Sequence, residues 1–125
     1  MTLDERIKEQ LEEFPLILYM KGTPDFPQCG FSAKGCGILK ASNKRFAFVN
    51  ILEDHELRDG LKTFSNWPTF PQLYVNGQLV GGSDIVEQMF DSGELTTLLT
   101  LFRKHSFYWR LSHLITRESF GSRSW

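Results

Sequence analysis

Pro15-Leu16-Ile17-Leu18-Tyr19-Met20 is an unbroken apolar run, and such a run without polar alternation suits a strand covered on both faces of a sheet. It needs apolar helices above and below it. Leu3, Ile7, Leu11 and Phe14 recur at spacings of three and four among charges, which predicts an amphipathic helix ending before Pro15. After the run, Gly22, Pro24 and Pro27 punctuate a loop up to Cys29, and a second helix is expected from about Phe31 to Ala41. Gly35 and Gly37 inside it each cost about 1 kcal/mol relative to Ala, so packing must hold it. Arg45 to Leu52 reads as a second strand. Asp54 then caps a third helix from about His55 to Phe64, with Leu57, Leu61 and Phe64 as its apolar face. Gln72–Val75 and Gln78–Val80 flank Asn76-Gly77, a pair suited to a two-residue turn needing positive φ. Ser83 or Asp84 starts a helix to about Phe90, with the serine reading as its cap, and Glu94 to about Phe102 forms the last. The order α-β-α-β-α-β-β-α-α predicts an α/β fold: a mixed four-stranded sheet flanked by helices.

A chain of 125 residues, 41% hydrophobic and with 11 Phe, is one domain by length with enough apolar surface for a single core. It has no stretch of about 18 uninterrupted apolar residues, so no membrane-spanning helix is expected. Met1-Thr2-Leu3-Asp4-Glu5-Arg6 has the character of neither a signal nor a transit peptide. Two cysteines make no disulfide scaffold. A reducing, cytoplasmic setting is therefore expected. Net charge is −1 but uneven, with residues 1–14 at −3 and residues 103–125 at +4. Neither end is a nucleic-acid footprint. Every motif and core-forming period ends before His105, so residues 1–104 read as the domain and 105–125 as a basic, aromatic tail. Phe107, Leu111, Leu114 and Ile115 could form one helical face with Arg110 and Arg117 off it. The tail reads as disordered or loosely docked, as a partner or self-association segment, or as a membrane-surface contact.

Reactive chemistry centres on Cys29-Gly30-Phe31-Ser32. A Cys-x-x-Cys pair can close a disulfide on itself, whereas Cys-x-x-Ser holds one thiolate that must take any further sulfur from outside the chain. Standing between a strand and a helix, Cys29 is expected at a helix N-terminus, where unpaired N–H groups lower a thiol pKa from about 8.5 toward 7 or below. The competing reading is a small apolar residue capping a helix. Cys36 lies seven residues along the same helix, about 10.5 Å of rise, and a disulfide needs Cα atoms within about 7 Å. It reads as a small packing residue. His55, His105 and His113 show no His/Cys spacing for zinc, and no phosphate loop or Ser/His/Asp arrangement is apparent.

The motif Cys29-Gly30-Phe31-Ser32 resembles the signature of the monothiol, CGFS-type, glutaredoxins. Tyr19-Met20-Lys21-Gly22, Trp67-Pro68-Thr69-Phe70-Pro71-Gln72 and Gly81-Gly82-Ser83-Asp84 stand at the distances that family shows, and the likeness spans roughly residues 3–102. After Lys104 it stops. The resemblance implies a thioredoxin-like fold, glutathione binding, and carriage of a [2Fe-2S] cluster in iron-sulfur cluster assembly and iron homeostasis. The cluster would sit in a homodimer it bridges, or be shared with a BolA-type protein, and pass to apoprotein recipients.

Glutathione carries two carboxylates, one amino group and one thiol, and the resemblance distributes these over the chain. Lys21 would meet the glycyl carboxylate and favour the Cys29 thiolate; otherwise it is a solvated strand-end lysine. Arg58, by position, could hold the same carboxylate, as could Lys62, which reads equally as an exposed charge. The resemblance makes the Phe70-Pro71 bond cis, turning the Phe70 backbone toward the cysteinyl unit; the other reading is a trans proline opening a strand. Gly81-Gly82-Ser83-Asp84 would bring N–H groups to the γ-glutamyl carboxylate and the Asp84 side chain to the amino group, although alone it is also a plain turn with a cap. Three functions compete. These are a cluster carrier, a glutathione-dependent thiol-disulfide oxidoreductase acting through a Cys29 mixed disulfide, and an adaptor with an idle thiol. The loop Gly22–Gln28 resembles the extended loop of the carrier class and favours the first.

Overall fold

The computed structural model describes residues 1–102, so the expectations for the 105–125 tail lie outside the described residues. Its first helix, α1 (Leu3–Glu13), opens on a capping box in which the Thr2 hydroxyl accepts from the Glu5 amide and the Glu5 carboxylate accepts from the Thr2 amide. Strand β1 (Leu16–Met20) follows, then α2 (Gly30–Ala41), β2 (Ala47–Asn50), α3 (His55–Ser65), β3 (Gln72–Val75), β4 (Gln78–Gly81), α4 (Ser83–Ser92) and α5 (Glu94–Phe102). The sheet order is β2-β1-β3-β4, with β1 parallel to β2 and antiparallel to β3. This is the thioredoxin-like arrangement.

The apolar run is the reason for the two-sided architecture. All five residues of β1 are buried. Leu16, Leu18 and Met20 face a cluster with Cys36 and Leu39 of α2, Val86 of α4 and Leu95 and Leu99 of α5. Ile17 and Tyr19 point the other way, to Ile7 and Leu11 of α1 and Leu57 and Leu61 of α3. Each fully buried Leu or Ile contributes about 1.5–3 kcal/mol, so side-chain alternation along one strand ties both helical layers to the sheet. Asn76 and Gly77 both take positive φ, 51° and 80°, the conformation their turn needs.

Three local expectations differ. The second strand is shorter than Arg45–Leu52, because the Asn50 side chain accepts from the amides of Gly22 (2.9 Å) and Leu52 (3.1 Å) and turns the chain. The fourth helix runs on to Ser92, where Gly93 at φ 87° ends it. Its cap is Gly82, not Ser83. No side chain caps it, and Ser83 is instead its buried first residue.

The Asp54 cap does a second task. Its carboxylate accepts from the Leu57 amide at 3.0 Å and from the Arg6 guanidinium at 2.8 Å, fastening α3 to α1. Burial alone would raise its pKa, but the Arg6 hydrogen bond and the Leu57 amide outweigh that and hold it below the usual carboxylate range. A depressed folded pKa gives stability that is present above the unfolded value and is lost as pH falls through the folded one. Asp54→Ala is therefore expected to lower the unfolding free energy by about 1 kcal/mol at pH 7, with the difference from the parent shrinking below about pH 4. Urea titrations at pH 7 and pH 3 check both parts; a difference that grows on acidification contradicts the account.

Candidate functional site

The loop between β1 and α2 is folded tightly. Gly22 pairs with Pro27 as a short antiparallel bridge, Thr23 and Phe26 exchange backbone hydrogen bonds at 3.3 and 3.0 Å, and the Gln28 amide donates to the Lys21 carbonyl at 2.9 Å. Gly22 sits at φ +92°, and a Cβ there would lie 2.6 Å from the Gln28 amide nitrogen, so only glycine fits. Lys40 of α2 closes over the loop by donating to the Pro24 carbonyl at 2.9 Å. The result is a fixed entry to α2 that leaves Phe26 73% exposed.

Cys29 is the N-cap of α2, with extended backbone. Its thiol pKa is lowered, chiefly by the Ser32 amide; burial opposes this, and the Phe31 amide, the Lys21 charge and the Ser32 hydroxyl add to it. The neutral thiol makes no capping hydrogen bond, as befits a weak acceptor; it is the thiolate that these donors favour. Cys36 is its opposite. It is 1% exposed and burial pushes its thiol pKa up, consistent with packing. Gly35 beside it has a reason that its helix propensity hides: a Cβ there would stand 3.2 Å from the Pro71 ring, so α2 lies directly against the Phe70-Pro71 segment. That bond is cis, as the resemblance implied.

All the predicted residues meet on one cleft. Lys21, Cys29, Arg58 and Phe70, with Lys62, line a cavity of about 410 Å³. Phe70, Ser83 and Asp84 line another of about 420 Å³ with Trp67, Pro71 and Gly82. The two adjoin, since Phe31, Thr69 and Phe70 border both. One end is cationic, the other carries a carboxylate and the start of α4, and the Cys29 thiol lies on the cationic side. The Phe70 side chain is buried in the cluster that includes residues of α1 and α3.

Sequence reasoning missed four contributors. Ser32 is fully buried, and its hydroxyl accepts from the Lys21 amide at 3.0 Å. Gln72 is equally buried; its amide group donates to the carbonyls of Trp67 (3.1 Å) and Thr69 (3.2 Å) and its oxygen accepts from Tyr74, fixing the segment that floors the cleft. The Trp67 indole N–H is buried without a hydrogen-bond partner among the described residues. Lys34 sits 3.4 Å from Asp84 and 3.2 Å from Glu87. Ser32, Trp67 and Gln72 lay within quoted motifs and Lys34 did not, but none of these pairings has a signal in sequence spacing.

The glutaredoxin family model matches residues 16–80. Glutaredoxin 4 of Escherichia coli K12 is 51% identical over 98 residues, covering 78% of this chain and 85% of that protein. Monothiol glutaredoxin-S11 of Oryza sativa subsp. japonica is 50% identical over 99 residues, covering 79% of this chain and 20% of that longer protein. The solution structure of reduced poplar apo GrxS14 superposes with a TM-score of 0.71 at 46% identity, covering 82% of this chain and 94% of that one. Identity at this level across most of the described residues, with a buried serine where a second motif thiol would stand, makes this chain a member of the glutaredoxin family, in its monothiol class.

Proposed function

We propose that the chain binds glutathione in this cleft and uses the Cys29 thiolate together with the glutathione thiol to carry a [2Fe-2S] cluster as cargo. In this reading Lys21 and Arg58 hold the glycyl carboxylate, the Phe70 backbone pairs with the cysteinyl unit, the amides at Ser83 and the start of α4 receive the γ-glutamyl carboxylate, and Asp84 takes the amino group. The observation that carries it is the inequality of the two thiols. Cys29 opens onto the cleft with a lowered pKa, while Cys36 is sealed with a raised one.

The donor set supports sharing. Among the described residues no group of three or more His, Cys, Asp or Glu side chains could hold a metal, and a [2Fe-2S] cluster takes about four thiolate-type ligands. One chain offers one. Two chains with two glutathiones supply four, so the cluster bridges a homodimer, or sits between this chain and a BolA-type protein, and passes to apoprotein recipients. The setting that suits a free thiolate is a reducing cytoplasm; no helix among the described residues is long and apolar enough to cross a membrane. Anaerobic addition of iron and sulfide with and without glutathione, read by visible absorbance and native mass, tests this. A coloured dimer that needs glutathione is expected; a monomer holding the cluster contradicts it.

The lowered thiol pKa also favours a second reading, an oxidoreductase. The Cys29 thiolate would attack the glutathionyl sulfur of a protein mixed disulfide, expelling the protein thiolate and forming a Cys29–glutathione disulfide. A second glutathione thiolate then displaces Cys29 and leaves oxidised glutathione. Vigorous turnover of glutathionylated protein without any cluster favours this reading over the first.

Residues 105–125 are proposed to be dispensable for both fold and glutathione binding. Their deletion is expected to move the melting midpoint little and to preserve its rise with glutathione. Loss of that rise, or of several kcal/mol of stability, makes the tail part of the domain.

A further inference from the structure

Lys34 stands beside Asp84, five residues beyond Cys29 on α2, with its ammonium between two carboxylates of α4. It lies 3.2 Å from Glu87 Oε1 and 3.4 Å from Asp84 Oδ1. Asp84 and Glu87 are three apart and therefore share a helix face, so the ammonium can rest on either. Asp84, with its side chain 76% exposed, lines the cavity. No other cation is within ion-pairing distance of either carboxylate among the described residues. The Asp84 charge that faces the cavity is thus already partly neutralised by the protein itself.

We propose that Lys34 is a specificity-determining residue of the cleft, an internal cation that competes with the ligand's amino group for Asp84. This rests on the reading in which Asp84 receives the γ-glutamyl amino group of glutathione. Entry of that group moves Lys34 fully onto Glu87, and the exchange of one cation for another reduces what the amino group gains. Glu87 is therefore the counterweight: the more firmly it holds Lys34, the more available Asp84 is. Such partly exposed ion pairs are each worth a few-fold in affinity, so a preference set by this contest is adjustable in both directions.

The test compares glutathione with its des-amino analogue, glutaryl-cysteinyl-glycine, by calorimetry at low salt. The readout is the ratio of their affinities, which a general loss of structure does not move. Lys34→Gln leaves Asp84 free and is expected to raise the preference for glutathione about three-fold. Glu87→Gln leaves Lys34 on Asp84 and is expected to lower it by a similar factor. Ratios that stay at the parent value in both variants, or that shift in the same direction, overturn the proposal. Asp84→Ala distinguishes the failure of its premise. If that variant retains the parent's preference, the amino group does not bind at Asp84 and the underlying site assignment fails with it; if it loses the preference while the Lys34 and Glu87 variants change nothing, only the competition is wrong.

Discussion

Cys29→Ser is expected to abolish cluster loading altogether, while Cys36→Ser and Cys36→Ala leave it intact. The contrast follows from where the two sulfurs stand. A ligand to a shared cluster must reach beyond its own chain as a thiolate, and Cys29 is placed to do so at a helix start whose Ser32 and Phe31 amides and nearby Lys21 charge favour the anion. Cys36 is 1% exposed among Leu39, Leu18 and their neighbours, where burial favours the neutral thiol. A serine at 36 brings a hydroxyl into that cluster at a cost of about 1–3 kcal/mol. Its stability should therefore fall although its cluster forms, and the alanine variant separates the two effects. Anaerobic reconstitution of all three variants with glutathione, followed by visible absorbance and native mass, gives the comparison. Colour in the Cys29 variant, or a requirement for Cys36, would remove the proposed ligand set.

The sheet was legible because its signals are redundant. The apolar run of β1, the Asn76-Gly77 turn and the periodic leucines of α3 each fix an element, and the topology leaves few ways to assemble them. The second strand was over-extended because hydrophobic pattern cannot see Asn50 accepting two amides and turning the chain. The Ser83 cap failed for a related reason. A serine beside glycine has the right chemistry for an N-cap, but tertiary packing places Gly82 there and buries Ser83 one step inside α4.

At the site, the residues that offer charge or sulfur, Lys21, Cys29, Arg58 and Asp84, were picked out through the family resemblance, and the structure brings them to one cleft. Those that hold them were not picked out. Gln72 serves the cleft through hydrogen bonds to backbone carbonyls three and five residues earlier, and Lys34 through a partner 50 positions away in the chain. Gly35 looked like a weakness of α2. A Cβ there would stand 3.2 Å from the Pro71 ring, so the glycine lets α2 lie close against the Phe70-Pro71 segment.

Ser32→Ala is expected to damage the site more than its place in the motif suggests. Read as a sequence, Ser32 is the position a second thiol has vacated; in the structure it is a post. Its fully buried hydroxyl accepts from the Lys21 amide at 3.0 Å, linking the end of β1 to the first turn of α2. Alanine leaves that N–H without its acceptor, at about 1–3 kcal/mol, whereas an ordinary exposed serine would cost a few tenths. A second effect should accompany the first. The Ser32 side chain also favours the Cys29 thiolate, so its loss raises the thiol pKa, but only in part, because the Ser32 amide, the larger influence, remains in alanine. A raised pKa means a smaller thiolate fraction at neutral pH and slower reaction with an alkylating reagent there, with the two proteins converging once pH exceeds both pKa values. Denaturant titration measures the stability and the pH profile of iodoacetamide alkylation measures the thiol. A variant as stable as its parent with an unshifted profile would return Ser32 to the role of a mere absence of sulfur. A loss of stability alone would keep the post and remove the hydroxyl from the chemistry of Cys29.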